Sequence, residues 1–292
     1  MKDGYSISIN MKTKYIDLHM HTKYSDGQLD PTQIIKISTM KGIDVMAIAD
    51  HDHTRGYFEA YKTAEQYGVK LLPAAEITTQ NYHLLALNFN PENSKLQKFL
   101  KHSRDIQYTR CKTRVDILQK SGLPITMEKI RSEYPDSRIG KGNIKEIFYK
   151  DKECREYIQE KHSELSPERL FKYYLGKKGI AGDLKPRIGV DPKEAIDIVH
   201  EAGGIIGIAH PPKDIKRMKE LEILVEQGID FLEVQPLFKE KYPYHKFETF
   251  AKENNLPISY GSDYHGPATQ RELLSKGENI LSKDLAKLLK LS

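Results

Sequence analysis

The sequence contains little cysteine, and this scarcity limits both its redox chemistry and its metal chemistry. Only Cys111 and Cys154 occur in 292 residues, and they lie far apart, outside any spacing typical of a thiolate metal site. A disulfide framework is therefore not expected, and a reducing cytoplasm is the expected compartment. The lack of thiolate ligands also argues against a closed structural zinc site, which usually contains cysteine.

Long hydrophobic runs and a strong charge of either sign are also missing. No apolar run approaches the roughly 18 residues that a membrane span needs, and residues 1–14 hold no apolar segment of signal-peptide length. The formal net charge of +5 permits an anionic small-molecule substrate but does not by itself indicate nucleic-acid binding. With 38% hydrophobic and 30% charged residues, we expect a soluble globular protein with no membrane partner and no obligate protein partner.

The stretch YIDLHMHTKYSD, residues 15–26, carries the first concentration of polar side chains with possible chemistry. A short apolar strand ends here in His19 and His21, and Asp26 follows within the next turn. Side chains two positions apart on a strand point to the same side, so the two imidazoles can reach one point. Imidazole and carboxylate are common ligands of first-row metal ions. A solvated histidine pair followed by a turn is the alternative interpretation of this motif alone.

The same pattern recurs along the chain, because other predicted strands also end in histidine or carboxylate side chains. The predicted strands cover 45–49, 69–75, 82–89, 204–209, 231–235 and 258–261, after the first one. Strands alternate with helical patterns such as the one that begins at Asp30-Pro31, which indicates a parallel α/β sheet with crossover helices. In such sheets the ligand site lies at the carboxyl ends of the strands.

Nine side chains at these strand ends form the candidate metal-binding set. They are His19, His21, Asp26, His51, Glu76, His83, His210, Asp263 and His265. One ion with an open coordination position uses three to five protein ligands, so nine ligands suit two or three ions that share a carboxylate. Between residues 93 and 185 the pattern changes to amphipathic helices rich in lysine and arginine, which predicts a helical insertion after the fourth strand.

These motifs resemble the polymerase and histidinol phosphatase (PHP) superfamily: HxH followed by SDG, then DHD, a strand-end Glu, AHP and GSDxH. The resemblance implies a distorted (β/α)7 barrel, here in two parts, residues 12–92 and 186–292, with the helical insertion at 93–185 between them. The basic residues of the insertion are typical of a solvated helix face, and the alternative is a lid that closes over a negatively charged substrate. It also implies two to three manganese, iron or zinc ions. One would bind His19, His21, Glu76 and Asp263, a second Glu76, His83 and His210, and a third Asp26, His51 and His265.

The position of the insertion resembles one PHP branch in particular, the stand-alone phosphoesterases that act on nucleoside 3',5'-bisphosphates or trim short RNA from its 5' end. In that branch an Arg-Pro-His step of the insertion contacts phosphate. Here the matching stretch is Ile139-Gly140-Lys141-Gly142-Asn143, with Lys in place of Arg and Asn in place of His. Lysine remains a point-charge phosphate binder but lacks the bidentate fork of arginine. Lys141 and Arg187 are the predicted substrate-binding residues.

The expected function is hydrolysis of a phosphate ester, in a small molecule or nucleotide, by a hydroxide that bridges two metal ions. Glu76, His210 and Asp263 are the predicted catalytic residues among the ligands, and the expected partner is a phosphorylated small molecule, a nucleotide or a short RNA. Three alternatives remain open from the sequence: a metal-binding module without turnover, a phosphatase for phosphotyrosine peptides or histidinol phosphate, and cleavage of a non-phosphate bond.

Overall fold

The structure, a computed structural model, describes residues 14–184, 188–269, 271–277 and 279–291 of the chain. Within these residues seven strands form one sheet, in chain order: β1 (Ile16–Met20), β2 (Val45–Ile48), β3 (Lys70–Thr78), β4 (His83–Leu87), β5 (Ile205–Ile208), β6 (Phe231–Val234) and β7 (Ile258–Tyr260). After β7 the chain returns to β1, where the Asp263 N–H donates to His19 O (2.8 Å) and the His21 N–H to Tyr264 O (2.9 Å). The sheet is therefore a nearly closed barrel, and the predicted seven-stranded α/β barrel is confirmed.

The described residues also form twelve α-helices, which cover the barrel or fill the connection between β4 and β5. They are α1 (Pro31–Met40), α2 (Arg55–Gln66), α3 (Ser94–Lys120), α4 (Met127–Glu133), α5 (Lys141–Lys150), α6 (Lys152–His162), α7 (Pro167–Tyr174), α8 (Pro192–Glu201), α9 (Pro211–Asp214), α10 (Met218–Gln227), α11 (Tyr244–Glu253) and α12 (Lys283–Leu288). Helix α8 begins where its sequence predicts, because Asp191 Oδ1 accepts from the N–H groups of Lys193 (2.9 Å) and Glu194 (3.2 Å).

The fourth strand departs from the predicted all-parallel sheet. Strands β1 to β3 pair in parallel, as do β5 to β7, but β4 is antiparallel to both of its neighbours. Only residues 79–82 connect β3 to β4, which is too short for the crossover that a parallel pair needs. The reversed direction brings the start of β4, with His83, to the edge of the barrel where β3 ends.

The barrel strands are buried on both faces, as expected for a sheet that is enclosed by helices. Every residue of β1, β2, β5 and β6 is buried. Inside the barrel, Ala47, Ala74 and Leu85 belong to the same buried cluster as Phe231. A Cβ atom on Gly207 would lie only 2.5 Å from Cδ2 of the Phe231 ring, so the small residue at this position makes room for the large one.

The connection between β4 and β5 contains six helices, α3 to α8, among its described residues and no further strand of the sheet. Its helices enclose a separate hydrophobic cluster that contains Phe148, Tyr174 and both cysteines. Helix α3 links the two parts, because Phe99 near its start packs in the barrel cluster and Val115 near its end packs in the insertion cluster. The boundaries at 12–92, 93–185 and 186–292, and the role of the insertion as a lid, stay predictions.

Helix α3 is 27 residues long, but charged side chains such as Lys98, Lys101, Arg104 and Arg110 lie between its apolar residues in the sequence. Among the described residues, no helix combines the length and the hydrophobicity that a membrane span requires. The cytoplasmic location expected from the sequence stays a prediction.

Candidate metal centre

The structure brings the nine predicted ligands together at one end of the barrel. His19 lies in β1 and His21 directly follows it, His51 and His210 follow β2 and β5, and Glu76 lies in β3. The remaining four reach the same point from loops after β1 and β7 and from the start of β4. The imidazole rings form a continuous group, with centroid distances of 5.0 Å between His19 and His21, 4.9 Å between His21 and His51, and 5.8 Å between His19 and His210.

Three groups of ligand atoms lie close enough to hold an ion each. In every group, one ligand atom per residue lies within 4.8 Å of the others; the groups are His21, Asp26, His51 and His265, then His19, His21 and Glu76, then Glu76, His83 and His210. Glu76 belongs to two groups and His21 also belongs to two. Asp263, the fourth ligand predicted for the first ion, has Oδ1 3.4 Å from His21 Nε2 and 4.0 Å from His19 Nε2.

The spacing of these atoms fits the donor set of bound metal ions. Metal–ligand bonds of about 2.0–2.2 Å place neighbouring ligand atoms about 3.0–3.5 Å apart. Nε2 of His19 lies 3.1 Å from Nε2 of His21, and Oε2 of Glu76 lies 3.2 Å from both. Nδ1 of His51 is also 3.2 Å from Oε2 of Glu76, yet this buried nitrogen makes no hydrogen bond of acceptable geometry. Nitrogen and oxygen donors that converge without thiolates suit manganese, iron or zinc.

Glu233 is a further candidate functional residue, which was not predicted from the sequence. This carboxylate is fully buried in β6, where Oε1 accepts from Nδ1 of His19 at 2.7 Å and Oε2 accepts from the N–H of His210 at 2.6 Å. A Cβ atom on Gly261 would overlap Oε1 of Glu233, so the glycine leaves space for the carboxylate. Carboxylates in this position orient a metal-binding imidazole and raise its basicity. The available signal was a lone Glu inside the apolar strand FLEV.

Asp214 plays the same part for His83 and was also missed. Oδ2 of Asp214 accepts from both Nδ1 and the N–H of His83, each at 2.9 Å. Its distance to Nδ1 of His210 is 3.8 Å, so it lies beside both imidazoles of one donor group. The Asp four residues after His210, in the short helix α9, was the available signal.

Two further buried aspartates hold the loops that carry the ligands. Asp50 Oδ1 accepts from the N–H of Thr22 (2.7 Å) and from the hydroxyl of Ser25 (2.7 Å), whose oxygen lies 3.3 Å from Nδ1 of His21. Asp17 Oδ1 accepts from the N–H of Ser262 at 2.9 Å. Burial raises the pKa of Asp17 to about 6, although hydrogen bonds to its carboxylate, such as the one from Ser262, lower that pKa.

The charges of the cluster favour a bound cation. Burial lowers the pKa of His19, but the carboxylates of Glu233 and Glu76 outweigh it and hold that pKa well above its usual value. Burial raises the pKa of Glu76, but the imidazoles of His51 and His19 outweigh it and hold that pKa well below its usual value. The carboxylates thus attract positive charge into a buried site, where protons and metal ions compete for the imidazoles.

Two basic side chains contact Asp263 and were not predicted. Lys213 Nζ lies 2.5 Å from Oδ2 of Asp263, and Nη1 of Arg271 lies 2.5 Å from its Oδ1. Burial raises the pKa of Asp263, but Lys213 and His21 lower it more, so that the pKa lies well below its usual value. The metal-ligand role of Asp263 stays a prediction, and the two cations are further candidates for binding an anionic substrate.

The predicted substrate-binding residues have different outcomes. Lys141 donates to the carbonyl of Leu175 at 2.8 Å and lines a cavity of about 340 Å³ that also contains His83. Arg187 lies outside the described residues. Arg138, three positions before Lys141, lines the same cavity, and its Nη2 donates to Thr78 Oγ1 at 2.9 Å. Arg138 is not among the residues predicted from the sequence, although it directly precedes the stretch that resembles the phosphate-binding step.

Curated relatives cover nearly the whole chain. The present sequence is 29% identical over 276 residues to the 5'-3' exoribonuclease of Haemophilus influenzae, and the match covers 92% of this chain and 95% of that protein. It is 26% identical over 273 residues to the 3',5'-nucleoside bisphosphate phosphatase of Chromobacterium violaceum, which covers 86% of this chain and 87% of that protein. The first relative is named for a reaction on RNA and the second for a reaction on a nucleoside bisphosphate.

Solved structures share the fold, and a family profile identifies it. A candidate metal-dependent phosphoesterase from Bifidobacterium adolescentis superposes with a TM-score of 0.77 at 25% identity, covering 95% of this chain and 96% of that one. A protein from Chromobacterium violaceum described as an amidohydrolase gives 0.72 at 24% identity, covering 90% and 92%, and shows the fold alone. The profile of the PHP domain matches residues 17–174, more than half of the sequence. The chain therefore belongs to the PHP domain family.

Proposed function

We propose that this chain is a metal-dependent phosphoesterase that hydrolyses a phosphate ester of a nucleotide. The observation that carries the proposal is the set of three donor groups, linked through Glu76, at the end of the barrel where the strands deliver their ligands. The groups would hold two to three divalent ions, either manganese, iron or zinc. The predicted ligand sets place Asp263 with His19, His21 and Glu76.

Bound ions would supply Lewis-acid polarisation of the phosphate and a lowered pKa for the attacking water. The protein residues hold the arrangement in which that chemistry takes place. Glu76 spans two donor groups and so sets their separation, whereas Glu233 and Asp214 orient the imidazoles of His19 and His83. Lys213 and Arg271 place positive charge at the rim, where an anionic substrate needs it.

The nucleotide substrate class is supported by the relatives and by the cavity beside His83. Two curated relatives are named as acting on RNA and on a nucleoside bisphosphate. The lining of the cavity includes four basic residues and two acidic ones: Arg110, Arg114, Arg138 and Lys141, with Asp183 and Asp214. A surplus of positive charge next to the metal centre suits a substrate with a second phosphate group. Lys141 and Arg187 remain proposed contacts of that group.

A substrate panel tests the proposal. The metal-loaded protein is assayed with a nucleoside 3',5'-bisphosphate, a 5'-phosphorylated RNA trinucleotide, histidinol phosphate, a phosphotyrosine peptide and p-nitrophenyl phosphate. We expect the two nucleotide substrates to have the highest kcat/KM. Preference for any of the three non-nucleotide phosphates would overturn the substrate class, and no turnover of any member would favour a metal-binding module.

Glu76→Gln is the matched variant for the same assay. It keeps the shape of the side chain but removes the charge that two donor groups share, and removal of one key electrostatic group costs about 3–4 kcal/mol of transition-state stabilisation. We therefore expect kcat to fall by about two to three orders of magnitude. Turnover close to that of the unmodified protein would contradict the bridging role of Glu76.

A further inference from the structure

A second basic cavity lies between the barrel and the helical insertion. It has a volume of about 340 Å³, within the range of small-molecule sites, and we call it the arginine cavity. Three segments line it: His53 and Arg55 after β2, Arg104 and Tyr108 of α3, and Arg131 of α4 with residues 135–139. Its described lining residues include no predicted metal ligand, so it is separate from the metal centre.

The lining of the arginine cavity carries a surplus of positive charge. It has four guanidinium groups and two carboxylates, namely Arg55, Arg104, Arg131 and Arg138 with Asp105 and Asp136. Asp136 Oδ1 pairs with Nη1 of Arg55 at 2.8 Å, and Asp105 pairs outside this set with Nζ of Lys101 at 2.6 Å. Asp136 therefore neutralises Arg55, and Arg138 Nε lies 3.5 Å from Oδ2 of the buried Asp52. Arg104 and Arg131 carry the remaining positive charge of the cavity, which an anion can neutralise.

Two of these arginines donate hydrogen bonds to main-chain carbonyls, which satisfy N–H groups without neutralising the charge. Nη1 of Arg104 donates to Asp52 O at 2.5 Å, and Nη1 of Arg131 donates to Ser137 O at 2.9 Å. Arg131 also lies over the ring of Tyr108, with its Cζ 5.2 Å from the centroid. A guanidinium has five N–H donors in a planar fork, so both side chains keep donors for a phosphate oxygen pair.

His53 adds a neutral donor to the same cavity. Its Nδ1 accepts from the N–H of Arg55 at 3.0 Å, so the neutral ring carries its proton on Nε2. The sequence placed His53 directly after the Asp50-His51-Asp52 motif, but the structure does not include it in any of the three donor groups. His53 therefore lines the arginine cavity and is not part of the metal centre.

The arginine cavity and the cavity beside His83 share Arg138 and Ile139 in their linings. A flexible polyanion with its reacting phosphate at the metal centre can therefore pass Arg138 and place a later phosphate in the arginine cavity. We infer that the arginine cavity is a subsite for a second phosphate of an oligonucleotide, beyond the phosphate that is hydrolysed. This inference rests on the proposed nucleotide substrate. The competing explanation is that Arg104 and Arg131 only hold loops in place.

Binding of a labelled oligonucleotide tests the subsite independently of turnover. The probe is a 3'-labelled phosphorothioate RNA hexamer, which keeps the backbone charges and resists hydrolysis, and its affinity for the metal-loaded protein is measured at several salt concentrations. We expect Arg131→Gln to raise Kd about tenfold, as for loss of one charged hydrogen-bonded contact. The slope of log Kd against log salt should fall by about 0.7, the value for one phosphate contact on a single strand.

The controls separate a lost phosphate contact from a disturbed loop. Arg155→Gln is the matched control, since Nη1 of Arg155 donates to the carbonyl of Tyr149 at 2.8 Å and Arg155 is not among the described lining residues. It should leave Kd and the salt slope unchanged. Arg131→Lys keeps the charge without the fork and should recover part of the affinity. Arg55→Gln keeps the test decisive if Arg131→Gln does not fold, with an expected rise in Kd of about threefold.

The outcomes distinguish this inference from the proposed function. If Arg131→Gln weakens binding of the hexamer but the substrate panel shows no nucleotide hydrolysis, the arginine cavity binds a backbone phosphate and the proposed function fails. If the panel shows nucleotide hydrolysis but folded Arg131→Gln and Arg55→Gln keep the Kd and salt slope of the unmodified protein, the subsite is overturned. An equal loss of affinity in Arg155→Gln would also overturn it, because the effect would then be one of overall charge.

Discussion

Replacement of Glu233 by glutamine is expected to weaken metal binding at two donor groups at once. The carboxylate accepts from Nδ1 of His19 at 2.7 Å and from the N–H of His210 at 2.6 Å, and these residues belong to different groups around Glu76. A glutamine amide has one acceptor oxygen and one NH₂ donor, so it can accept from only one of the two. Its NH₂ group would then face a second donor inside a fully buried site.

The expected size of the effect follows from the position of Glu233. Loss of a carboxylate that orients a metal-binding imidazole typically lowers metal affinity by about 10- to 100-fold, or about 1.4–2.7 kcal/mol. Because Glu233 supports one residue in each of two groups, we expect about 3–5 kcal/mol over two ions. His210 also has an αL backbone conformation (φ 30°, ψ 57°), which the hydrogen bond to Glu233 helps to hold.

A competition titration against a chelator, combined with elemental analysis after dialysis, measures this prediction. Glu233→Gln should lose affinity at two sites, whereas Asp214→Asn, whose partner His83 belongs to one group, should lose it at one. Glu222→Gln on the exposed face of α10 is the control for loss of one negative charge. If Glu233→Gln keeps both the metal content and the affinity of the unmodified protein, the orienting role is refuted.

Three further predictions concern stability and substrate binding. Gly207→Ala should lower the free energy of unfolding by about 3 kcal/mol, because the new methyl meets the Phe231 ring and backbone inside the barrel; an unchanged midpoint in urea would contradict this. Phe148→Ala should cost about 3–5 kcal/mol by opening a cavity in the insertion core beside Tyr174, measured by the same denaturation. Lys141→Ala should raise KM more for a nucleoside bisphosphate than for p-nitrophenyl phosphate, because a remote charge binds the ground state and the transition state equally. If the ratio of variant KM to unmodified KM is the same for both substrates, Lys141 does not bind the second phosphate.

The sequence alone predicts the elements whose signals are short-range. The start of α8 follows from Asp191 and the proline after it, because a helix cap needs only neighbouring residues. His19 and His21 are identifiable because the two-residue period of a strand puts them on one side. The shared end of the barrel follows from the rule that strands of an α/β sheet deliver ligands at their carboxyl ends.

The tertiary structure alone decides which distant residues complete the site. In the sequence, Glu233 is a single charged residue within an apolar strand. Only the folded barrel places its carboxylate against His19, which is 214 positions earlier in the chain. The direction of β4 likewise depends on a four-residue connection and not on its own alternation of side chains, yet that direction brings His83 to the metal centre. Arg138 and the arginine cavity arise where the insertion packs against the barrel. No local pattern encodes that packing, because it depends on contacts between segments that are far apart in sequence.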